Sequence, residues 1–123
     1  MPGQEMKESV NKRMIISYYI FEQVDDEELY VFKSLHEDLA TKEFYSHTKG
    51  KKLETNLFFL SQSILPFIDN PQVFNLLRTG DIKSLPIIEI DNKIVKTGSY
   101  LSLAELSEIT GIGMSMQRTD YLT

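Results

Sequence analysis

At 123 residues and 14.2 kDa, with 41% hydrophobic and 25% charged residues, the chain has the size and composition of one small globular domain. It has no cysteine, which excludes disulfides, thiolate metal sites, iron–sulfur clusters and any cysteine nucleophile or redox pair. A net charge of -5 argues against broad electrostatic binding to nucleic acid or anionic lipid, because phosphate binding needs clustered Lys and Arg.

That acidity is local. Residues 22–28 hold five acids and no base, so the remainder of the chain sums to neutral. A smaller basic cluster, Lys49, Lys51 and Lys52, surrounds Gly50. No apolar run approaches the ~18–20 residues that span a bilayer. Residues 1–13 are too polar for a signal peptide, so no membrane insertion is expected and the cytoplasm is the expected location.

Met14 to Phe21 is a nearly continuous β-branched and aromatic run, the pattern of a central strand covered on both faces. Asp25 and Glu28 then form a D-x-x-E pattern that resembles a capping box, with acids in the first helical turn. Leu29, Phe32, Leu35 and Leu39 recur at steps of three and four, which predicts one amphipathic helix running to His47 and stopped by Gly50. Leu53 to Leu60 reads as a second strand, parallel to the first in a βαβ unit. Asn70-Pro71 starts a helix whose buried stripe is Val73, Phe74 and Leu77, ending at Gly80. Leu85 to Ile90 is a third strand, Asp91-Asn92 a tight turn, and Lys93 to Thr97 a fourth strand paired back as a hairpin. Ser102 and Glu105 open a last helix that Gly111 closes.

The expected organisation is a polar extension over 1–13, a single domain over 14–112 and a tail over 113–123. The order β-α-β-α-β-β-α with a four-stranded mixed sheet is the minimal thioredoxin-like topology. Its working place is the carboxyl end of the first strand with the amino end of the following helix, here Gln23, Val24, Asp25 and Asp26, a candidate partner surface. The turn Ser84-Leu85-Pro86 falls beside it, and a cis Leu85–Pro86 bond is predicted.

A more specific resemblance lies between Leu65 and Ile112. An apolar pair before Asn70, a short helix, Leu85-Pro86, a hydrophobic strand, Asp91 at the hairpin, Gly98-x-Tyr100, Ala104-Glu105-Leu106 and Gly111-Ile112 follow one another at matching spacing. This ordered set resembles the ArsD family, thioredoxin-fold proteins of arsenical-resistance operons described as trans-acting repressors and as chaperones that hand As(III) or Sb(III) to an efflux ATPase. The resemblance implies operator DNA and an efflux ATPase as partners, and with an exposed edge strand it favours a homodimer. It also implies a metalloid site of three thiolates in the loop after the first strand, since As(III) is a soft ion. Asp25, Asp26, Glu27 and Glu28 stand there instead, and hard carboxylate oxygens do not replace thiolates.

Other chemistry finds little support. His36 and His47, eleven residues apart on one predicted helix and so separated by ~16 Å of rise, do not share a metal. No P-loop, dinucleotide fingerprint or G-x-S-x-G occurs, so neither an enzymatic activity nor a cofactor is expected. Met114 and Met116 are tail thioethers without a site around them. For DNA, the candidate contacts are Lys42, Lys49, Lys51 and Lys52, doubled in a dimer. The expected function is therefore a non-catalytic, ArsD-like regulatory protein, a trans-acting repressor with thiol-based metalloid binding lost. The alternative is a thioredoxin-like protein-interaction module with no DNA or metalloid role.

Overall fold

The computed structural model describes residues 12–113 of the chain. Most of the predicted extension and tail, with Met114 and Met116, lies outside the described residues.

Strand β1 (Arg13–Ile20) sits at the middle of one four-stranded sheet, order β2-β1-β3-β4. It runs parallel to β2 (Lys52–Phe59) and antiparallel to β3 (Ile87–Ile90), and β3 pairs antiparallel with β4 (Lys93–Thr97). Every residue from Ile16 to Ile20 is buried. The reason is that both sheet faces are covered. Ile16, Tyr18 and Ile20 point to one core with Leu29, Phe32 and Leu106, whereas Tyr19 points to another with Phe67, Val73 and Ile87. Alternating side chains of one strand thus feed two hydrophobic layers, and no polar face remains to show as alternation in sequence.

The long helix predicted after β1 is two helices, α1 (Glu27–Glu37) and α2 (Leu39–Lys49). Asp38 separates them. Its backbone is extended, and its side chain accepts hydrogen bonds from the Thr41 amide and hydroxyl, making it the amino cap of α2. Lys42 Nζ donates to the His36 carbonyl at 2.9 Å, which satisfies the end of α1. This break turns Leu39 out of the expected stripe, and it is 73% exposed. His36 and His47 accordingly stand on different helices.

A short helix α3 (Leu65–Ile68), unforeseen from the sequence, precedes α4 (Pro71–Gly80), and a 3-10 turn (Asp81–Ser84) leads to β3. In α4 only Val73 is fully buried; Phe74, expected in the core, is exposed, and Leu77 packs at the core's edge. The third strand begins at Ile87, two residues later than expected. The hairpin turns at Asp91 and Asn92, both with positive φ, as a two-residue turn requires. Asp91 also accepts from the Ile15 amide, pinning the turn to β1. The last helix, α5 (Leu103–Thr110), has the full reciprocal capping box between Ser102 and Glu105 and ends at Gly111 with φ 72, a left-handed cap. Lys96 Nζ reaches both Glu105 and the Tyr100 carbonyl, fastening α5 to β4. The arrangement is thioredoxin-like.

Candidate functional site

The loop from β1 to α1 carries the acidic run. The cap of α1 is Asp26, not the Asp25 of the predicted D-x-x-E pattern: its Oδ1 accepts from the Glu28 and Leu29 amides at 2.8 and 3.1 Å. Asp26 is half-buried against the helix end and Asp25 is exposed. Two amides at the positive end of α1, which in this topology would steady a bound anion, are therefore taken by the chain's own carboxylate. Glu27 and Glu28 follow in the first turn and are exposed.

Gln23, Val24, Asp25 and Asp26 come together with Tyr30 and Lys33 around a shallow depression of about 260 Å³. Lys33 donates to the Gln23 side chain at 3.2 Å, and Gln23 donates in turn to the Val24 carbonyl, which fixes the loop's outer edge. Beside it is a second depression of about 280 Å³ lined by Phe21, Val24, Ile82, Leu85, Pro86 and Tyr100, among others. The Leu85–Pro86 bond is cis, and Gly98 donates its amide to the Ser84 and Pro86 carbonyls at 3.2 and 2.8 Å. Phe21, Val24 and Ile82 are each between 42% and 48% exposed, so the cleft between the two loops is apolar and open to a partner.

Tyr18 stacks on Phe32 with ring centroids 3.6 Å apart, and its ring centroid is 6.3 Å from that of Tyr100, which lines the cleft. Burial pushes the Tyr18 phenol pKa well above the usual value. It is a packing group, held protonated. Tyr100, also raised by burial and then by Asp26, edges the cleft.

Among the described residues no group of three His, Cys, Asp or Glu is placed to hold a metal ion. His36 Nδ1 lies 2.7 Å from Thr55 Oγ1 and its ring stacks on Phe32, so it ties α1 to β2. Of the four candidate lysines, Lys42 closes α1, and Lys49 lays its side chain over Gly111 at the carboxyl end of α5, a position the helix dipole favours. Lys51 and Lys52 stand at the start of β2. What sequence reasoning missed is Glu89, a strand carboxylate only 3% exposed and held by Asn70.

A family model described as "Arsenical resistance operon protein ArsD" matches residues 26–122. The chain belongs to the ArsD family. The match reaches well beyond the stretch from Leu65 to Ile112, yet it begins at Asp26, so β1 and the first half of the acidic loop precede it. Among solved structures, the crystal structure of an arsenical resistance operon trans-acting repressor from Bacteroides vulgatus ATCC 8482 superposes with a TM-score of 0.66. It is 18% identical and the alignment covers 85% of this chain and 99% of that one, a likeness of fold. No curated protein matches the chain. This ArsD-family chain thus keeps the family's architecture and holds no cysteine at any position.

Proposed function

We propose that this ArsD-family chain is a non-catalytic regulatory protein that works by binding a macromolecular partner and does so without As(III) or Sb(III). The observation that carries this reading is the β1–α1 loop. Soft metalloid ions need thiolates, the chain has none, and the helix end that would stabilise them is capped by Asp26.

Trans-acting repression is the finer form of this role, supported by the family and by the described function of the structural neighbour. Operator DNA would then meet Lys49, Lys51 and Lys52, while Lys42, spent on the His36 carbonyl, contributes charge alone. A homodimer would double this small patch, which is what a palindromic site requires. The test is a gel-shift titration on the gene's own upstream DNA, with and without arsenite. A salt-sensitive, sequence-preferring shift that arsenite leaves unchanged supports the reading. No shift removes the repressor role, and a shift released by arsenite removes the metalloid-free one.

One observation favours a second reading, a protein-interaction module. The cleft between Val24 and Pro86 is apolar and its rim acidic, which suits a peptide better than a phosphate backbone. The family's efflux ATPase is the protein partner to try first. In that case the chain would bind this partner and give no gel shift.

A further inference from the structure

The opposite face of the sheet carries a larger groove, of about 810 Å³, bordered by Tyr19, Phe58, Leu65, Asp69, Asn70 and Glu89, among others. Its floor holds a buried carboxyl group. Glu89 sits on β3, opposite Ser17, and is 3% exposed, but no basic side chain meets it: the ion pairs among the described residues are Arg13–Glu54 and Lys96–Glu105.

The hydrogen bonds around Glu89 fall short of its capacity. Asn70 Nδ2 lies 2.9 Å from each carboxylate oxygen and 3.1 Å from the Tyr19 hydroxyl. Two amide hydrogens thus face three oxygens. The amide cannot be turned to supply more, because Asn70 Oδ1 accepts from the Gln72 and Val73 amides as the cap of α4. A carboxylate accepts about four hydrogen bonds, and a buried one left underpaired is costly. Among the described residues, Asn70 is the only hydrogen-bond donor Glu89 has.

The rest of the groove is built for an aliphatic stem. Tyr19 and Phe58 form a tilted aromatic pair with centroids 5.1 Å apart. Leu65 is 63% exposed and Pro66 lies beside it in the lining, so the rim offers apolar surface to an incoming chain. Asp69 adds a second, exposed carboxylate beside them.

We propose that this groove docks a lysine or arginine side chain of a partner polypeptide, its cation reaching Glu89 and its stem crossing Tyr19 and Phe58. An apolar residue next to that side chain covers Leu65 and Pro66. The two carboxylates are too few for a divalent cation, and among the described residues no third His, Cys, Asp or Glu joins them. A free amine would leave the apolar rim uncovered. The site is independent of the β1–α1 loop and of the DNA reading, and fails or stands by itself.

The test is an NMR titration of the full chain with two blocked dipeptides, acetyl-leucyl-lysinamide and acetyl-leucyl-argininamide. The neutral acetyl-leucyl-norleucinamide and n-butylammonium serve as comparisons, and the Asn70 side-chain amide and Gln72 backbone amide are followed. Both basic peptides should shift these signals, the norleucine peptide should bind about tenfold more weakly, and Glu89→Gln should weaken the basic peptides by a similar factor. Asp69→Asn, at an exposed position, should weaken them less, and it serves as the charge test if E89Q fails to fold. Equal binding of the norleucine peptide, no shift at Asn70, or basic peptides unaffected by both variants would overturn the proposal. Butylammonium binding as tightly as the peptides would overturn the polypeptide occupant.

Discussion

Asn70 Nδ2 lies 2.9 Å from both carboxylate oxygens of Glu89, while Oδ1 of the same side chain caps α4. One residue therefore both starts a helix and holds a buried carboxyl group on the neighbouring strand. Asn70→Ala should remove the cap, about 1 kcal/mol, and strip Glu89 of its donor, about 1–3 kcal/mol more. In a Glu89→Leu background the second loss disappears. Urea unfolding of the two single variants and the double variant gives the coupling, and additive losses would show that the contact contributes nothing.

At the β1–α1 loop the carboxylates differ in role. Asp26→Ala should cost about 1 kcal/mol through loss of the α1 cap. Asp25→Ala, at an exposed neighbouring position, should stay within about 0.5 kcal/mol of the parent. Thermal unfolding separates them, and equal losses would contradict the assignment of Asp26.

His36 sets part of the pH dependence. Burial, and secondly Lys42, hold its pKa below the ordinary value, and Glu37 opposes them. The neutral ring is thus favoured in the folded state. Its contribution to stability is full above the unfolded value of about 6.5 and is lost as pH falls through the lower folded value. His36→Gln should therefore lose less stability than the parent as pH falls from neutral through this window. Asp38, lowered by Thr41, and Glu105, lowered chiefly by Lys96, act in a separate, more acidic range. Urea midpoints against pH check this; parallel curves for parent and variant would contradict it.

If the chain binds operator DNA, the basic cluster should show in the salt dependence. Replacing Lys49, Lys51 and Lys52 by Ala should weaken binding and reduce the slope of log K against log salt by up to about 3. Anisotropy titrations at several salt concentrations measure it. An unchanged slope would move the DNA contact elsewhere on the chain.

Much of the framework was legible because its signals are local. Asn70-Pro71, the Ser102/Glu105 capping box, Gly50, Gly111 and Asp91-Asn92 each mark a helix or hairpin end through their own backbone or side-chain chemistry. The split at Asp38 was harder to see. A periodic apolar pattern runs across it, and what breaks the helix is the choice of Asp38 to cap Thr41 rather than continue. Glu89 was hidden for another reason: nothing within Ile-Ile-Glu-Ile marks it as buried, and its partner Asn70, at the start of α4, meets it only in the fold. Phe74 shows the converse, an apolar residue at helical spacing that the second core does not reach.

The acidic loop, by contrast, could be placed from the sequence, and the metalloid question turns on it. Calorimetric titration of the purified chain with arsenite tests the central claim most directly. The account predicts no heat beyond dilution, because As(III) finds no thiolate in this chain. Saturable binding in the micromolar range would contradict it.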